Sequence, residues 1–146
     1  MSLQNWLSTG WVTKRQTSPQ EITDLLGVAD RDLSDCQSPD LSPDWRMNIA
    51  YNAALQVATA ALAAAGYRAA RDSHHYRVIQ SLTHTICADT NLIDQFDQFR
   101  KKRNIGGYER AGLVSDQEAD EMFDLAKQLR KEVEKWIRDN HPDLLK

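Results

Sequence analysis

Ser42-Pro43-Asp44-Trp45-Arg46-Met47-Asn48-Ile49-Ala50-Tyr51-Asn52 and the alanine-rich run that follows it to Gly66 form the segment on which the architecture turns. A serine N-cap followed by proline at the first helical position is a strong helix start, and glycine is a common stop. Between them, Met47, Ala50, Ala54, Val57, Ala61 and Ala64 form one apolar stripe, with Tyr51, Leu55, Ala58, Leu62 and Ala65 beside it. A helix apolar over so broad a face belongs at the centre of a protein. Its small side chains let neighbouring helices pack close.

The flanking sequence supplies those neighbours. Ser18-Pro19-Gln20-Glu21 combines an N-cap, a first-turn proline and a capping-box glutamate, and predicts a helix to about Cys36 with Ile22, Leu25, Leu26, Ala29 and Leu33 as its stripe. After a polar break at Arg71-Asp72-Ser73, His75, Ile79, Leu82 and Ile86 keep helical spacing to about Cys87. The pattern restarts at Asp89 or Thr90, with Leu92, Phe96 and Phe99 on one face, and Gly106-Gly107 ends it. Ser115-Asp116-Gln117-Glu118 is a second capping box. It opens a helix whose stripe is Ala119, Met122, Phe123, Ala126, Leu129, Val133, Trp136 and Ile137, stopped at Asn140-His141-Pro142. Leu3, Trp6, Leu7 and Trp11 suit a short docking helix at the start. No segment alternates with period two for long enough to read as a strand. The expected fold is all-α, an antiparallel up-and-down bundle of four or five helices.

At 146 residues, with 41% hydrophobic and 27% charged side chains, the chain is one globular domain's worth of sequence and needs no disulfide staples. No apolar run reaches the roughly 20 residues of a membrane span, and the start lacks the basic and apolar regions of a signal peptide. We therefore expect a cytoplasmic protein with no membrane partner, in which Cys36 and Cys87 stay free thiols. Cys87 reads as a buried structural thiol.

Several chemistries have no signature here. P-loop, dinucleotide fingerprint and paired-cysteine zinc motif are all missing, and the four histidines are poorly spaced for zinc, so neither metal nor cofactor is expected. His75 falls on the apolar stripe and reads as a packed, hydrogen-bonded histidine. His74, Arg77, Ser81 and His84 share another face and read as solvated polarity.

The charge distribution is more informative than the net charge of −3. Residues 99–110 hold five cations (Arg100, Lys101, Lys102, Arg103 and Arg110) against Glu109 alone, in an otherwise acidic chain. Leu92, Phe96 and Phe99 recur at i, i+4 and i+7, and the next position of that series is Arg103. A guanidinium stands where an apolar residue is due. Burying it without a partner is costly, so a partner is expected: helix-end carbonyls, a carboxylate, a second subunit or a bound phosphate. One reading is an arginine that caps its own helix while Tyr108 packs over the turn; another is an anion site.

FRKKRN followed by Tyr108, then VSDQEADEMFDLAKQLRKEV, in a helical chain of this length, resembles the HEPN domain family of prokaryotes. The likeness spans roughly residues 43–140, with SPDWRMNIAYNAALQVATAAL and HHYRVIQSL taking part, which leaves residues 1–40 as an N-terminal helical extension and 41–146 as the bundle. The resemblance implies a homodimer with a site where two copies of the fourth helix meet. It also implies a nucleotidyltransferase partner in a defence or toxin–antitoxin setting. Family members that act as metal-independent endoribonucleases carry an arginine, a polar residue next, and a histidine after four to six intervening residues. Here the arginine maps to Arg103 and the polar residue to Asn104, but the position after four intervening residues is Tyr108. RNA cleavage without metal needs a base, an acid and a cation. Imidazole, with a reference pKa near 6.5, suits the proton transfers; phenol at about 10 is a poor base at neutral pH.

Three functions follow as expectations. The first is a dimer binding RNA or a nucleotide through Arg100, Lys101, Lys102 and Arg103. The second is an endoribonuclease using Arg103 and Asn104, with Tyr108 or a histidine from elsewhere (His74, His75 or His84). The third is a protein-interaction module. Trp6, Trp45 and Trp136 supply apolar surface for a dimer contact.

Overall fold

The computed structural model describes residues 2–106 and 114–145, the side chains of 104–106 excepted. Among the described residues the chain forms six α-helices and one two-stranded ribbon: α1 (Leu3–Thr9), β1 (Val12–Lys14), α2 (Pro19–Asp35), α3 (Pro43–Ala64), β2 (Tyr67–Ala69), α4 (His74–Gln80), α5 (Thr90–Gly106) and α6 (Asp116–Asn140). Short 3₁₀ turns cover Ser81–Thr83 and Pro142–Leu145. The protein is helical, as expected. None of its described helices is long and apolar enough to cross a membrane.

The starts are local chemistry. Ser18, Ser42 and Ser115 each accept a hydrogen bond through Oγ from the backbone N–H three residues on, at 3.2, 3.3 and 3.1 Å. Of these three, the Ser115 box closes reciprocally, through Glu118, as does the Ser2–Asn5 box at the start of α1. Glu21, read as the matching glutamate of α2, instead pairs with Arg15 at 2.8 Å.

Helix α3 packs chiefly against α2 on one side and α6 on the other. Ala50, Ala53, Ala54, Val57, Ala58, Ala60 and Ala61 are fully buried, so α3 is the central helix. Ile22, Leu26 and Ala29 face it from α2; Ala119, Met122, Ala126, Leu129, Val133 and Ile137 are the buried stripe of α6. Residues 1–40 share this one hydrophobic cluster, through Trp6, Val12 and the α2 stripe.

Several expectations need correction. The ribbon is absent from the periodicity because three residues per strand show no alternation. Val12 pairs with Ala69 and Lys14 with Tyr67, antiparallel. The chain reaches it by leaving α1 at Gly10 (φ 82°) and α3 at Gly66 (φ 94°), left-handed turns that glycine adopts without a Cβ penalty. Next, the helix expected to reach Cys87 stops at Gln80. Ser81 Oγ donates to the Val78 carbonyl at 2.6 Å and Thr85 Oγ1 to the Ser81 carbonyl at 3.5 Å, local bonds that compete with the helical ladder. Cys87 lies beyond that break with φ 55° and is exposed, not a buried thiol, whereas Cys36 is buried.

Lastly, the face of His74, Arg77, Ser81 and His84 is not solvated polarity. Ser81 is fully buried, the Arg77 guanidinium lies 3.7 Å from the Trp11 ring centroid, and His84 meets Trp6 edge-on at 5.2 Å. The N-terminal segment covers this face. Trp6 is therefore interior; of the three tryptophans expected to offer a dimer surface, Trp45 is the exposed one, at 62%.

Candidate functional site

The last two turns of α5 carry the basic run, and most of it is neutralised. Arg100 Nε donates to Asp97 Oδ1 at 2.6 Å, Lys101 Nζ is 3.7 Å from Asp97 Oδ2, and Lys102 bonds Glu118 across to α6. Arg103 differs. Among the described residues no carboxylate pairs with it, and its guanidinium lies 5.2 Å over the ring of Tyr51 from α3. The apolar register broken by Arg103 is thus completed by an aromatic face, a cation–π contact at the edge of the core.

Tyr51 is the pivot of this cluster. It is fully buried, and its ring meets Phe96 of α5 edge-on at 5.6 Å. Its hydroxyl lies 3.3 Å from Nδ1 of His75, the second residue of α4. Burial pushes the phenol up to about 12, against the opposing pull of Arg103 and Arg100. Burial first, and then the charge of Arg103 with that of Arg100, hold the His75 imidazole below its ordinary value. At neutral pH both partners are uncharged, and a single proton joins them. Tyr76 lies under Arg100, at 5.4 Å from the guanidinium carbon to the ring centroid.

Two depressions flank the cluster. One, of about 470 Å³, is lined by Ser73, His74, His75, Tyr76 and Arg100. The other, of about 560 Å³, is lined by Asp32, Trp45, Asn48, Ile49, Asn52 and Arg103. A larger groove of about 720 Å³ between the start of α5 and α6 contains none of these groups. Among the described residues, no three His, Cys, Asp or Glu side chains converge as a metal site.

Of the residues predicted from the sequence, Arg100 and Arg103 are brought together with His75; Lys101 pairs with Asp97, the carboxylate that also holds Arg100, and Lys102 with Glu118 of α6. Tyr108 and the Asn104 side chain lie outside the described residues, as do Glu109 and Arg110. Tyr51 was not anticipated as a site residue. The signal available was a tyrosine on an apolar stripe, whose hydroxyl must find a partner once buried.

The electrostatics make a testable statement. As pH falls through about 6.5 the unfolded chain binds a proton at His75 before the folded protein does. Stability is therefore unaffected by this group above that pH and is lost as pH falls from there towards the depressed folded value. In Arg103→Ala, the His75 pKa rises because one of the cations that oppose protonation is gone. An NMR titration of the ring protons measures this, and an unchanged or lower value would contradict the proximity of the two groups.

No protein-family model matches the chain, and no curated protein and no solved structure matches it.

Proposed function

We propose that this chain is a HEPN-type helical protein, an antiparallel up-and-down bundle acting as a homodimer, that binds RNA or a nucleotide through Arg103. One observation carries the reading: the half-buried guanidinium of Arg103 has no carboxylate partner among the described residues, while its neighbours in the run do. A cation held over an aromatic face, with Arg100 and a neutral imidazole in the same cluster, suits a phosphate. A defence or toxin–antitoxin setting with a nucleotidyltransferase partner belongs to the same proposal, through the family resemblance.

The second reading, a metal-independent endoribonuclease, is favoured by His75. With Nδ1–H donating to the Tyr51 oxygen, Nε2 keeps a lone pair able to take the proton of a 2′-hydroxyl. The resulting alkoxide attacks the adjacent phosphorus, the 5′-oxygen leaves with a proton taken from water, and Arg103, together with the Arg100 that lines the same depression as His75, balances the charge on the phosphorane. His75 then fills the role that Tyr108 cannot.

Both readings are tested on the full chain with a short labelled single-stranded RNA in EDTA. Affinity is expected to fall between 50 and 200 mM salt. Arg103→Ala should weaken binding about tenfold or more, the effect of removing one charge-assisted contact. Exchanging Lys101 and Lys102 for glutamine should change it less, since carboxylates already hold those charges. Salt-independent binding, or none, overturns the binding reading. RNA cleavage lost in both His75→Ala and Arg103→Ala supports the enzyme; intact RNA after prolonged incubation ends it.

A further inference from the structure

We propose that the depression beside Arg103 on the α3 side is a purine-base pocket, in which Trp45 stacks on the base while Arg103 holds the phosphate. The inference rests on the anion-binding reading above and adds to it a ligand class and the residues that select it.

Trp45, Asn48, Ile49 and Asn52 stand at i, i+3, i+4 and i+7 of α3 and share one face of the helix. Trp45 is the large apolar side chain left exposed among the described residues. A single exposed apolar residue needs no explanation by itself. Here, however, the indole borders a depression whose other lining residues, Ile49 apart, are polar: Asp32, Asn48, Asn52 and Arg103. Asp32 of α2 is buried, at 7% exposure, and is one of the residues lining the space. Asn52 Nδ2 donates to Asp32 Oδ2 at 2.7 Å, and Arg31 Nη2 approaches Oδ1 at 3.5 Å. A carboxylate has about four acceptor positions, so those two contacts leave it capacity for a ligand's N–H groups. The volume of about 560 Å³ lies within the range of small-molecule sites.

The charge order sets the orientation. A phosphate is repelled by Asp32 and attracted by Arg103, so it sits at the α5 end of the pocket. The other end then offers an aromatic plane, two carboxamides and an anionic acceptor. That combination fits a nucleobase with an exocyclic amine, stacked on indole and donating to Asp32. Purines present the larger π face, and adenine and guanine both carry the amine, whereas uracil has none. A uracil nucleotide would keep the phosphate contact and lose much of the rest.

The test titrates the full chain with AMP, GMP, UMP and ribose 5-phosphate by calorimetry, and with oligoadenylate and oligouridylate. AMP and GMP are expected to bind at least about fivefold more tightly than ribose 5-phosphate, the lower end of base–aromatic stacking. Trp45→Ala should reduce AMP to the ribose 5-phosphate level, and Trp45→Phe should retain most of the difference. A Trp45-dependent preference for oligoadenylate over oligouridylate supports RNA as the source of the base; the same dependence with AMP alone supports a free nucleotide. Equal affinities for AMP and ribose 5-phosphate overturn the base pocket and leave the anion site standing. Failure of every phosphate compound to bind overturns both. A change of oligomeric state in Trp45→Ala with unchanged AMP affinity also overturns the pocket, and assigns the indole to a contact between copies.

Discussion

Phe96→Ala is expected to lower stability by about 3–5 kcal/mol, the usual cost of removing a fully buried phenyl ring and leaving a cavity. For a chain of this size that is a fall in melting temperature on the order of 10–15 °C. Phe96 is completely buried and meets the Tyr51 ring edge-on. Its loss therefore reaches the site as well as the core. Tyr51 carries Arg103 on its face and His75 on its hydroxyl, so a tilted ring displaces both groups. RNA affinity should fall in Phe96→Ala under conditions where circular dichroism still reports a folded protein. Phe96→Leu, which fills more of the space, should recover most of the stability. A Phe96→Ala melting temperature within a few degrees of the parent would show that α5 is not packed through this ring.

The second large effect comes from adding atoms to the core. Ala58 lies in α3 at 0% exposure, in the helix packed between α2 and α6. Leucine there adds three carbons to a space already closed. Overpacking of that kind costs about 1–3 kcal/mol and occasionally more, through off-rotamer side chains and displaced backbone. The helix propensity of leucine is close to that of alanine, so propensity does not account for the loss. Denaturant unfolding should show a lower midpoint for Ala58→Leu. The exposed Trp45→Ala, on the same helix, should stay within about 0.5 kcal/mol of the parent. A leucine at 58 without effect would mean that α3 is not closely packed at that position.

These two substitutions mark how legible the molecule was. The alanine-rich segment announced its central place through composition, because a helix apolar on nearly every face has nowhere else to go. The three serine starts were readable for a similar reason: each cap is made between residues three apart. Arg103 was readable as an anomaly, a cation in an apolar register. Its partner was not. Tyr51 and His75 are 24 positions apart, and Tyr51 lies farther still from Arg103; no spacing rule links residues on three different helices. The neutralisation of the basic run was half legible: Asp97 stands three and four positions before Arg100 and Lys101 on the same helix, whereas the Lys102–Glu118 pair joins α5 to α6 and no local spacing announces it.

The misread segments share a cause. The ribbon of Val12–Lys14 with Tyr67–Ala69 consists of strands too short to carry a period, paired across more than fifty residues. By placing Trp6 and Trp11 over His84 and Arg77, the N-terminal segment turned a face that looked solvated into packed surface. Taken alone, the sequence determined the helical class, the helix starts, the buried stripes and the out-of-place arginine, because each is set by chemistry within a few turns of one helix. Tertiary structure alone decided which carboxylate meets Lys102, which aromatic face receives Arg103 and which histidine stands beside it. Those depend on distances between helices, and such distances follow from packing the whole core at once.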